Sequence, residues 1–235
     1  MKFLNECWAL VPARSGSQTI KHKNIMLLNK KPLIYYSLDL AKKCKFFKKI
    51  IFSSDSTKYL ELASKFGNFY LHKRDYASST HTATDLDVFK SFIRDHLEKN
   101  FSLPKYFAHL RPTTPVRNIK TINKILKFFF KKKNFSSLRT VSKMSESSYK
   151  SLRIVSKKLC SIVKEDYDLD KYNKPQSNYP TTYVANGILD LYFTKNILNN
   201  TLLGKKTLPY ITDEFNSDID TENDIEKVKY FLAKE

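Results

Sequence analysis

The chain has 235 residues, of which 41% are hydrophobic, and it carries a formal net charge of +19 at pH 7. A hydrophobic fraction of this size excludes intrinsic disorder as the main state, and no apolar run reaches the ~18 residues of a membrane-spanning helix. Because an acidic residue, Glu6, precedes any long apolar stretch, we expect no signal peptide. The three cysteines lie far apart, which is unlike a disulfide framework or a zinc site and favours a reducing, cytoplasmic compartment.

Short apolar runs alternate with amphipathic stretches over the first part of the chain. This alternation is typical of βαβ units, and it predicts an α/β fold with a mostly parallel sheet flanked by helices. The predicted elements, in chain order, are strand 8–13, helix 32–43, strand 49–53, helix 57–66, strand 68–71, helix 84–97, strand 106–110, helix 119–130 and strand 136–141.

The pattern changes after residue 143, where polar residues and prolines become frequent. Two short strands, 152–155 and 159–163, are joined by a turn at Ser156, and a long polar loop follows. A strand at 187–193 and a helix at 224–233 complete the prediction. We interpret 143–182 as a hairpin and loop excursion from a single domain of residues 1–235.

The high positive charge allows two interpretations. Nucleic-acid binding is one of them. However, the lysines are dispersed and no recognition module is present, so solvated helix faces explain the charge better. A general positive field would still attract small anionic substrates. We therefore expect neither a nucleic acid nor a membrane as a partner.

The loop at 12–24 follows the first predicted strand, at the edge where open α/β sheets bind their ligands. It contains Gly16, several hydroxyls and several cations, and such a loop can surround a triphosphate with backbone N–H groups and charge. It lacks the glycine spacing of a P-loop, and an ordinary basic loop is the alternative.

Two later segments carry charged side chains that suit anions or a metal. Arg111 and Arg117, after the strand at 106–110, can each form a fork onto an anion, or else form salt bridges at the strand end. Asp218 and Asp220 alternate by two, so in an extended backbone both carboxylates face one side. Paired carboxylates together with substrate phosphates are a typical Mg²⁺ site, whereas helix capping explains only Thr221 and the residues after it.

Five motifs together resemble the acylneuraminate cytidylyltransferases, the family of the CMP-sialic acid synthetases. They appear in the family's order and span nearly the whole chain. The motifs are Ala13-Arg-Ser-Gly-Ser through Lys23-Asn24, Lys73-Arg-Asp through Ala83-Thr-Asp85, Leu110-Arg-Pro-Thr-Thr-Pro-Val-Arg117, Pro175-Gln-Ser through Asn186-Gly-Ile, and Asp218-Ile-Asp-Thr-Glu-Asn-Asp224.

The resemblance implies a Rossmann-like nucleotide-binding domain that transfers CMP from CTP to the anomeric hydroxyl of a nine- or eight-carbon nonulosonic sugar, releasing pyrophosphate. It also implies a homodimer formed through 143–182, with Mg²⁺ as the cofactor. The implied catalytic residues are Arg14, Lys23, Asp218 and Asp220, of which the two aspartates bind the metal. The implied nucleotide ligands are Arg14, Ser15, Gly16, Ser17, Lys23, Asn24, Arg74 and Ala83. The implied sugar ligands are Arg111, Thr113, Gln176 and Asn186.

The chain departs from the family pattern at several presumed anion contacts. Gln18, Gln176 and Val184 stand where the family has cations, and Arg111 stands where it has glutamine. Arg111 is therefore our candidate for the sugar carboxylate. The alternatives are an enzyme for another sugar or base, and an impaired relative that binds ligand without turnover.

Overall fold

The computed structural model describes residues 6–214 and 218–233, and the chain packs as two compact units. The first unit takes in the residues up to Thr140, residues 186–210 and the part of the chain from Glu214 onward. The second takes in Val141–Ala185 and Ile211–Asp213. No helix in the described parts of the chain is long and apolar enough to cross a bilayer.

Eleven strands and six α-helices make up the regular structure of the described residues. The strands are β1 (Cys7–Pro12), β2 (Leu27–Leu28), β3 (Lys31–Pro32), β4 (Phe47–Ser54), β5 (Tyr70–Lys73), β6 (Tyr106–His109), β7 (Ser137–Lys143), β8 (Leu152–Val155), β9 (Lys158–Ser161), β10 (Tyr183–Phe193) and β11 (Thr207–Ile211). The helices are α1 (Leu33–Lys43), α2 (Thr57–Ser64), α3 (Asp85–Leu97), α4 (Ile119–Lys131), α5 (Thr194–Leu198) and α6 (Glu222–Leu232).

The central sheet has seven strands in the order β11-β7-β10-β6-β1-β4-β5. Strand β1 pairs in parallel with β4 and β6, and β4 pairs in parallel with β5, whereas β10 runs antiparallel to β6. The predicted α/β class, with a mostly parallel sheet flanked by helices, is confirmed. The carboxyl ends of β1, β4 and β6 therefore meet at one edge, which is where ligands bind in such sheets.

Strand β1 shows why this sheet forms a sandwich between helices. Its side chains alternate between two apolar clusters, because successive residues of a strand point to opposite faces. Ala9 and Val11 belong to the cluster that holds the buried residues of α1 and α4. Trp8 and Leu10 belong to the cluster formed by α3. Burial on both faces explains the uninterrupted apolar run in the sequence.

Short elements were the main omissions of the sequence prediction. The β2–β3 hairpin, α5 and the edge strand β11 were not predicted, because each is too short to show a hydrophobic period. Residues Asn29 and Lys30 close the β2–β3 hairpin with φ of 45° and 65°, the positive pair expected of a type I′ turn.

The second unit contains the β8–β9 hairpin, whose turn was predicted at Ser156. Ser156 and Lys157 have φ of 48° and 66°, again the type I′ pattern. Within this unit the Met144 N–H donates to the carbonyl of Thr182 at 3.0 Å, which ties the two ends of the excursion together. The role of 143–182 in dimerisation stays a prediction.

Candidate active site

A cleft of about 270 Å³ opens in the first unit, beyond the carboxyl ends of β1 and β6. Six of the residues predicted for the site line this one cleft, although they come from three separate sequence motifs. They are Arg14, Asn24, Arg74, Ala83, Arg111 and Thr113. His81, Thr84 and Asp85 complete the rim on the side of α3.

The loop after β1 is held in place by a carboxylate that the sequence analysis did not single out. The Ser15 backbone N–H donates to Asp55 Oδ1 at 2.7 Å, and the Ser15 hydroxyl donates to Asp55 Oδ2 at 2.8 Å. Arg14 Nη1 donates to the carbonyl of Thr80 at 3.0 Å, and Asn24 Nδ2 donates to the carbonyl of Arg14 at 2.9 Å. These contacts to Asp55 and Thr80, together with the bond from Asn24, hold the loop in a defined conformation.

Gly16 and Ser17 occupy the exposed turn of this loop. A Cβ added to Gly16 would meet no atom within 4 Å, so packing within the protein does not require glycine there. The Ser17 N–H donates to the carbonyl of Ser15 at 3.1 Å, which keeps the turn tight. The space above Gly16 is open to a ligand that approaches the backbone closely.

Arg74 lines the cleft and is buried. Its Nη2 donates to the carbonyl of Ser53 at 2.9 Å, and its Nη1 approaches that of Ser78 at 3.4 Å. Burial lowers the pKa of Arg74 to about 10, while Asp55 and Asp85 act in the opposite direction. The guanidinium therefore stays charged at neutral pH and also anchors the loop that carries Ala83.

Lys23 and Asp220 meet near the start of α6, and neither they nor Asp218 are among the residues that line the cleft. The buried Lys23 Nζ donates to the carbonyl of Ile219 at 2.6 Å and to Asp220 Oδ1 at 3.0 Å. The Ile219 N–H donates to the carbonyl of Thr113 at 2.8 Å, so this segment is bound to the loop after β6. Asp218 and Asp220 are exposed on either side of the buried Ile219.

The oxygen chemistry of Asp218 and Asp220 suits a hard cation such as Mg²⁺. No group of three or more His, Cys, Asp or Glu residues that could hold a metal occurs within 6–214 and 218–233. Two carboxylates completed by substrate phosphates and water are, however, the usual way in which proteins bind Mg²⁺. The donors present therefore fit a metal that arrives with a nucleotide.

Arg111 lies at the end of β6 and is paired with two carboxylates. Its Nη1 donates to Asp190 Oδ2 at 3.0 Å, and its Nη2 donates to Asp85 Oδ2 at 2.7 Å. Burial alone would lower the pKa of Arg111, but Asp85, Tyr192 and Asp190 more than reverse this and raise it. The pKa of Asp85 falls to about 2; burial opposes this shift, and the charges of His109 and Arg111 outweigh it.

A buried polar chain continues beneath Arg111. The Tyr192 hydroxyl donates to Asp190 Oδ2 at 3.0 Å and lies 3.2 Å from His109 Nδ1. His109 Nε2 is buried and has no hydrogen-bond partner among the described residues, and it lies 3.8 Å from Asp85 Oδ1. Burial, helped by the charge of Arg111, lowers the pKa of His109 to about 4, so this imidazole is neutral at pH 7.

Arg117 does not face the cleft, although the sequence allowed it to form a fork onto an anion. Its Nε donates to the carbonyl of Ile188 at 2.8 Å, and its Nη2 donates to the carbonyls of Arg111 and Gly187 at 2.8 and 3.0 Å. Its Nη1 donates to Ser37 at 3.0 Å. Arg117 is a structural residue that ties β10 to the loop after β6.

The two remaining predicted sugar ligands lie in different units. Asn186 is buried at the start of the β10 stretch in the first unit, where its Oδ1 accepts from the Ile188 N–H at 3.3 Å. Gln176 is exposed in the second unit, where its Oε1 accepts from the Ser147 N–H at 3.3 Å.

Sequence reasoning missed Asp55, Asp85, Asp190 and Arg139. Arg139 donates to both oxygens of Asp190, at 3.1 and 3.0 Å, and shares that carboxylate with Arg111. Each of these residues is bonded to a partner that is distant in the chain. The only available signal was position, since Asp55 follows β4 and Asp85 begins α3 at the ligand-binding edge.

Comparison with known proteins agrees with this geometry. The family model described as Cytidylyltransferase matches residues 8–197. The N-acylneuraminate cytidylyltransferase of Escherichia coli is 29% identical over 220 residues, which is 93% of this chain and 50% of that protein. The post-translational flagellin modification protein B of Campylobacter coli is 27% identical over an alignment of 241 positions, which covers 99% of this chain and 97% of that protein.

Among solved structures, the CMP:2-keto-3-deoxy-manno-octonic acid synthetase complexed with CTP superposes with a TM-score of 0.68 at 13% identity, covering 97% of this chain and 99% of the other. This likeness shows the shared fold. The chain spans half the length of the Escherichia coli relative and nearly the whole length of the Campylobacter one. Since the family model covers most of the chain, this protein belongs to the cytidylyltransferase family.

Proposed function

We propose that this chain transfers CMP from CTP to the anomeric hydroxyl of a nonulosonic, sialic-acid-like sugar and releases pyrophosphate. The observation that carries the proposal is the single cleft that gathers Arg14, Asn24, Arg74 and Ala83 beside Arg111. Membership of the cytidylyltransferase family supports CTP as the donor, and the name of the Escherichia coli relative supports an acylneuraminate-like acceptor.

In this reaction the anomeric hydroxyl attacks the α-phosphorus in line, and pyrophosphate departs on the opposite side. The protein has little covalent work to do, so positioning and charge neutralisation account for most of the rate. Arg14 and Lys23 support the phosphates. The loop from Arg74 to Ala83 receives the cytosine. Lys23 also fixes Asp220 through their 3.0 Å contact.

Asp218 and Asp220 would hold Mg²⁺ together with the nucleotide phosphates. A bound Mg²⁺ supplies positive charge that stabilises the leaving pyrophosphate. Lys23 stabilises the same negative charge, because its ammonium is held beside Asp220 before the reaction begins.

The test is pyrophosphate release from CTP and Mg²⁺ with a panel of sialic, legionaminic, pseudaminic and octulosonic acids. Release with one acid is expected, and Asp220→Ala should abolish it. Glu226→Ala is the matched control, because Glu226 is an exposed carboxylate of α6 that pairs with Lys229. Release with another nucleotide or sugar would favour the alternative transferase. CTP binding without any release would favour an impaired relative, consistent with the cations absent at Gln18, Gln176 and Val184.

A homodimer formed through the second unit is part of the proposal, as is a cytoplasmic location. The support for the dimer is the exposed apolar surface of the β8–β9 hairpin, where the Ile154 side chain is 75% exposed beside Leu152 and Leu159. Ile154→Lys should give a monomer in sedimentation. Leu198→Lys, which changes an exposed leucine on α5, should leave the mass unchanged. A wild type that is monomeric at micromolar concentration would contradict the dimer.

A further inference from the structure

The pairing of Arg139 with Asp190 is the feature of the site that no predicted role explains. Arg139 Nε donates to Asp190 Oδ1 at 3.1 Å, and Nη2 donates to Asp190 Oδ2 at 3.0 Å. Arg111 Nη1 and the Tyr192 hydroxyl donate to the same Asp190 Oδ2 at 3.0 Å each. Asp190 is therefore a buried carboxylate that accepts four hydrogen bonds, one at Oδ1 and three at Oδ2.

The two arginines differ in what they have left to offer a ligand. Arg111 uses both of its terminal nitrogens, one on Asp190 and one on Asp85. Arg139 contacts Asp190 with its Nε–Nη2 edge, and its Nη1 takes part in neither of those bonds. A planar guanidinium has five N–H donors on two edges, so the end of Arg139 can still meet a second carboxylate.

The position of Arg139 also fits an acceptor site. Its side chain is 30% exposed, whereas that of Asp190 is 3% exposed. In the sheet, β10 lies between β7, which carries Arg139, and β6, which Arg111 follows. Strand β7 is therefore on the opposite side of β6 from β1 and β4. The nucleotide residues Arg14 and Arg74 lie over β1 and β4. Arg139 is thus connected to the cleft through Asp190 and Arg111, on the side away from β1 and β4.

We infer that Arg139 binds the carboxylate of the acidic sugar, with Asp190 and Arg111 as the positioning residues that hold its guanidinium. The inference rests on the proposed function, because it needs an acidic acceptor. It also accounts for the absence of the family cations at Gln176 and Val184, because Arg139 on β7 would supply the anion contact in their place. Asp190 orients the arginine, and its bond to Arg111 couples the acceptor side to the cleft.

The test measures the preference for a charged acceptor. The probes are the sugar acid that the wild type turns over and its C1 carboxamide, which keeps the ring and loses the charge. In Arg139→Gln the kcat/KM preference for the acid over the amide should fall about 10- to 100-fold, the effect of losing a charge-assisted hydrogen-bonded contact. The KM for CTP should stay within about twofold.

Two further variants separate binding from a structural role. Arg139→Lys keeps a cation beside Asp190 and should fold normally with part of the preference retained. Lys124→Gln removes one positive charge from the exposed face of α4 and should leave the preference unchanged. An unchanged preference in Arg139→Gln, with a lower Tm and both KM values raised, would overturn the inference while the proposed function stands. A wild type that releases no pyrophosphate with any acid would overturn the proposed function and the inference with it.

Discussion

The two sides of the cleft hold their arginines in different ways. On the proposed nucleotide side, Arg14 and Arg74 donate to backbone carbonyls. On the proposed acceptor side, Arg111 and Arg139 are paired with buried or half-buried carboxylates. A carbonyl fixes an arginine without forming an ion pair with it, so more of its charge is available to an anion such as a phosphate. A carboxylate cancels the charge and leaves directional N–H groups, which suits recognition of one acid group in one orientation.

The largest expected effect concerns Arg111. Arg111→Ala leaves Asp190 and Asp85 each short of a donor. Because Asp85 is 39% exposed and Asp190 keeps Arg139 and Tyr192, the expected cost is about 3 kcal/mol of unfolding free energy, the lower end of the range for a buried ion pair. Urea unfolding measures this change. Arg111→Lys is the control and should recover part of the loss. If Arg14→Ala destabilised the protein as much, the distinction between the two sides would fail.

The neutral His109 beneath the acceptor side predicts a pH dependence of stability. Its folded pKa of about 4 lies below its ordinary value of 6.5, so the unfolded chain binds the proton first. The unfolding free energy should therefore fall as the pH drops from 6.5 to 4, by on the order of 3 kcal/mol.

The control for this prediction is His109→Gln, measured by urea unfolding between pH 7 and 4. The variant should show a shallower decline. The remaining slope comes from His72 and His96, whose pKa values burial also lowers. Asp85 does not contribute in this window, because its folded pKa of about 2 means that its stabilisation is lost only below its ordinary 3.8. Equal slopes in the variant and the wild type would contradict a buried neutral His109.

Arg14→Ala should affect nucleotide binding more than stability. The side chain gives up one hydrogen bond to the carbonyl of Thr80, which costs about 1 kcal/mol of unfolding free energy. Loss of a charged contact to phosphate should raise the KM for CTP roughly tenfold. Steady-state kinetics with each substrate varied in turn measure this. A change confined to the KM of the sugar would contradict the assignment of Arg14 to the nucleotide.

Gly16→Ala tests the proposed phosphate contact of the same loop, and its expected effect is the smallest. Because the added methyl group meets no protein atom within 4 Å, Tm should be unchanged. If a phosphate approaches the backbone at Gly16, the KM for CTP should rise about threefold, a cost below 1 kcal/mol. An unaltered KM would place the triphosphate away from this turn.

Much of the architecture could be predicted from the sequence, because it depends on local periods. The apolar run of β1 and the helical spacing of α4 report burial directly. The motifs also placed Arg14, Arg74 and Arg111 at the ligand-binding edge. What no local pattern contains is the partner of each charge: Arg111 is separated in sequence from Asp85 by 26 residues and from Asp190 by 79. Whether an arginine is available to a substrate is decided by such distant partners.

The segment that carries Asp218 and Asp220 has one buried apolar anchor, Ile219, in addition to its hydrogen bonds to Thr113 and Lys23. Ile219 packs with Leu28, Leu33 and Val116 and with Val228 of α6. The packing of α6 therefore acts as a latch, in that it holds the segment with the two aspartates in place. A protease that trimmed the chain within α6 would release this latch and disperse the carboxylates while the central sheet stayed folded. Limited digestion should therefore yield a stable, inactive core, and fusions at the carboxyl end need a spacer that lets the helix dock.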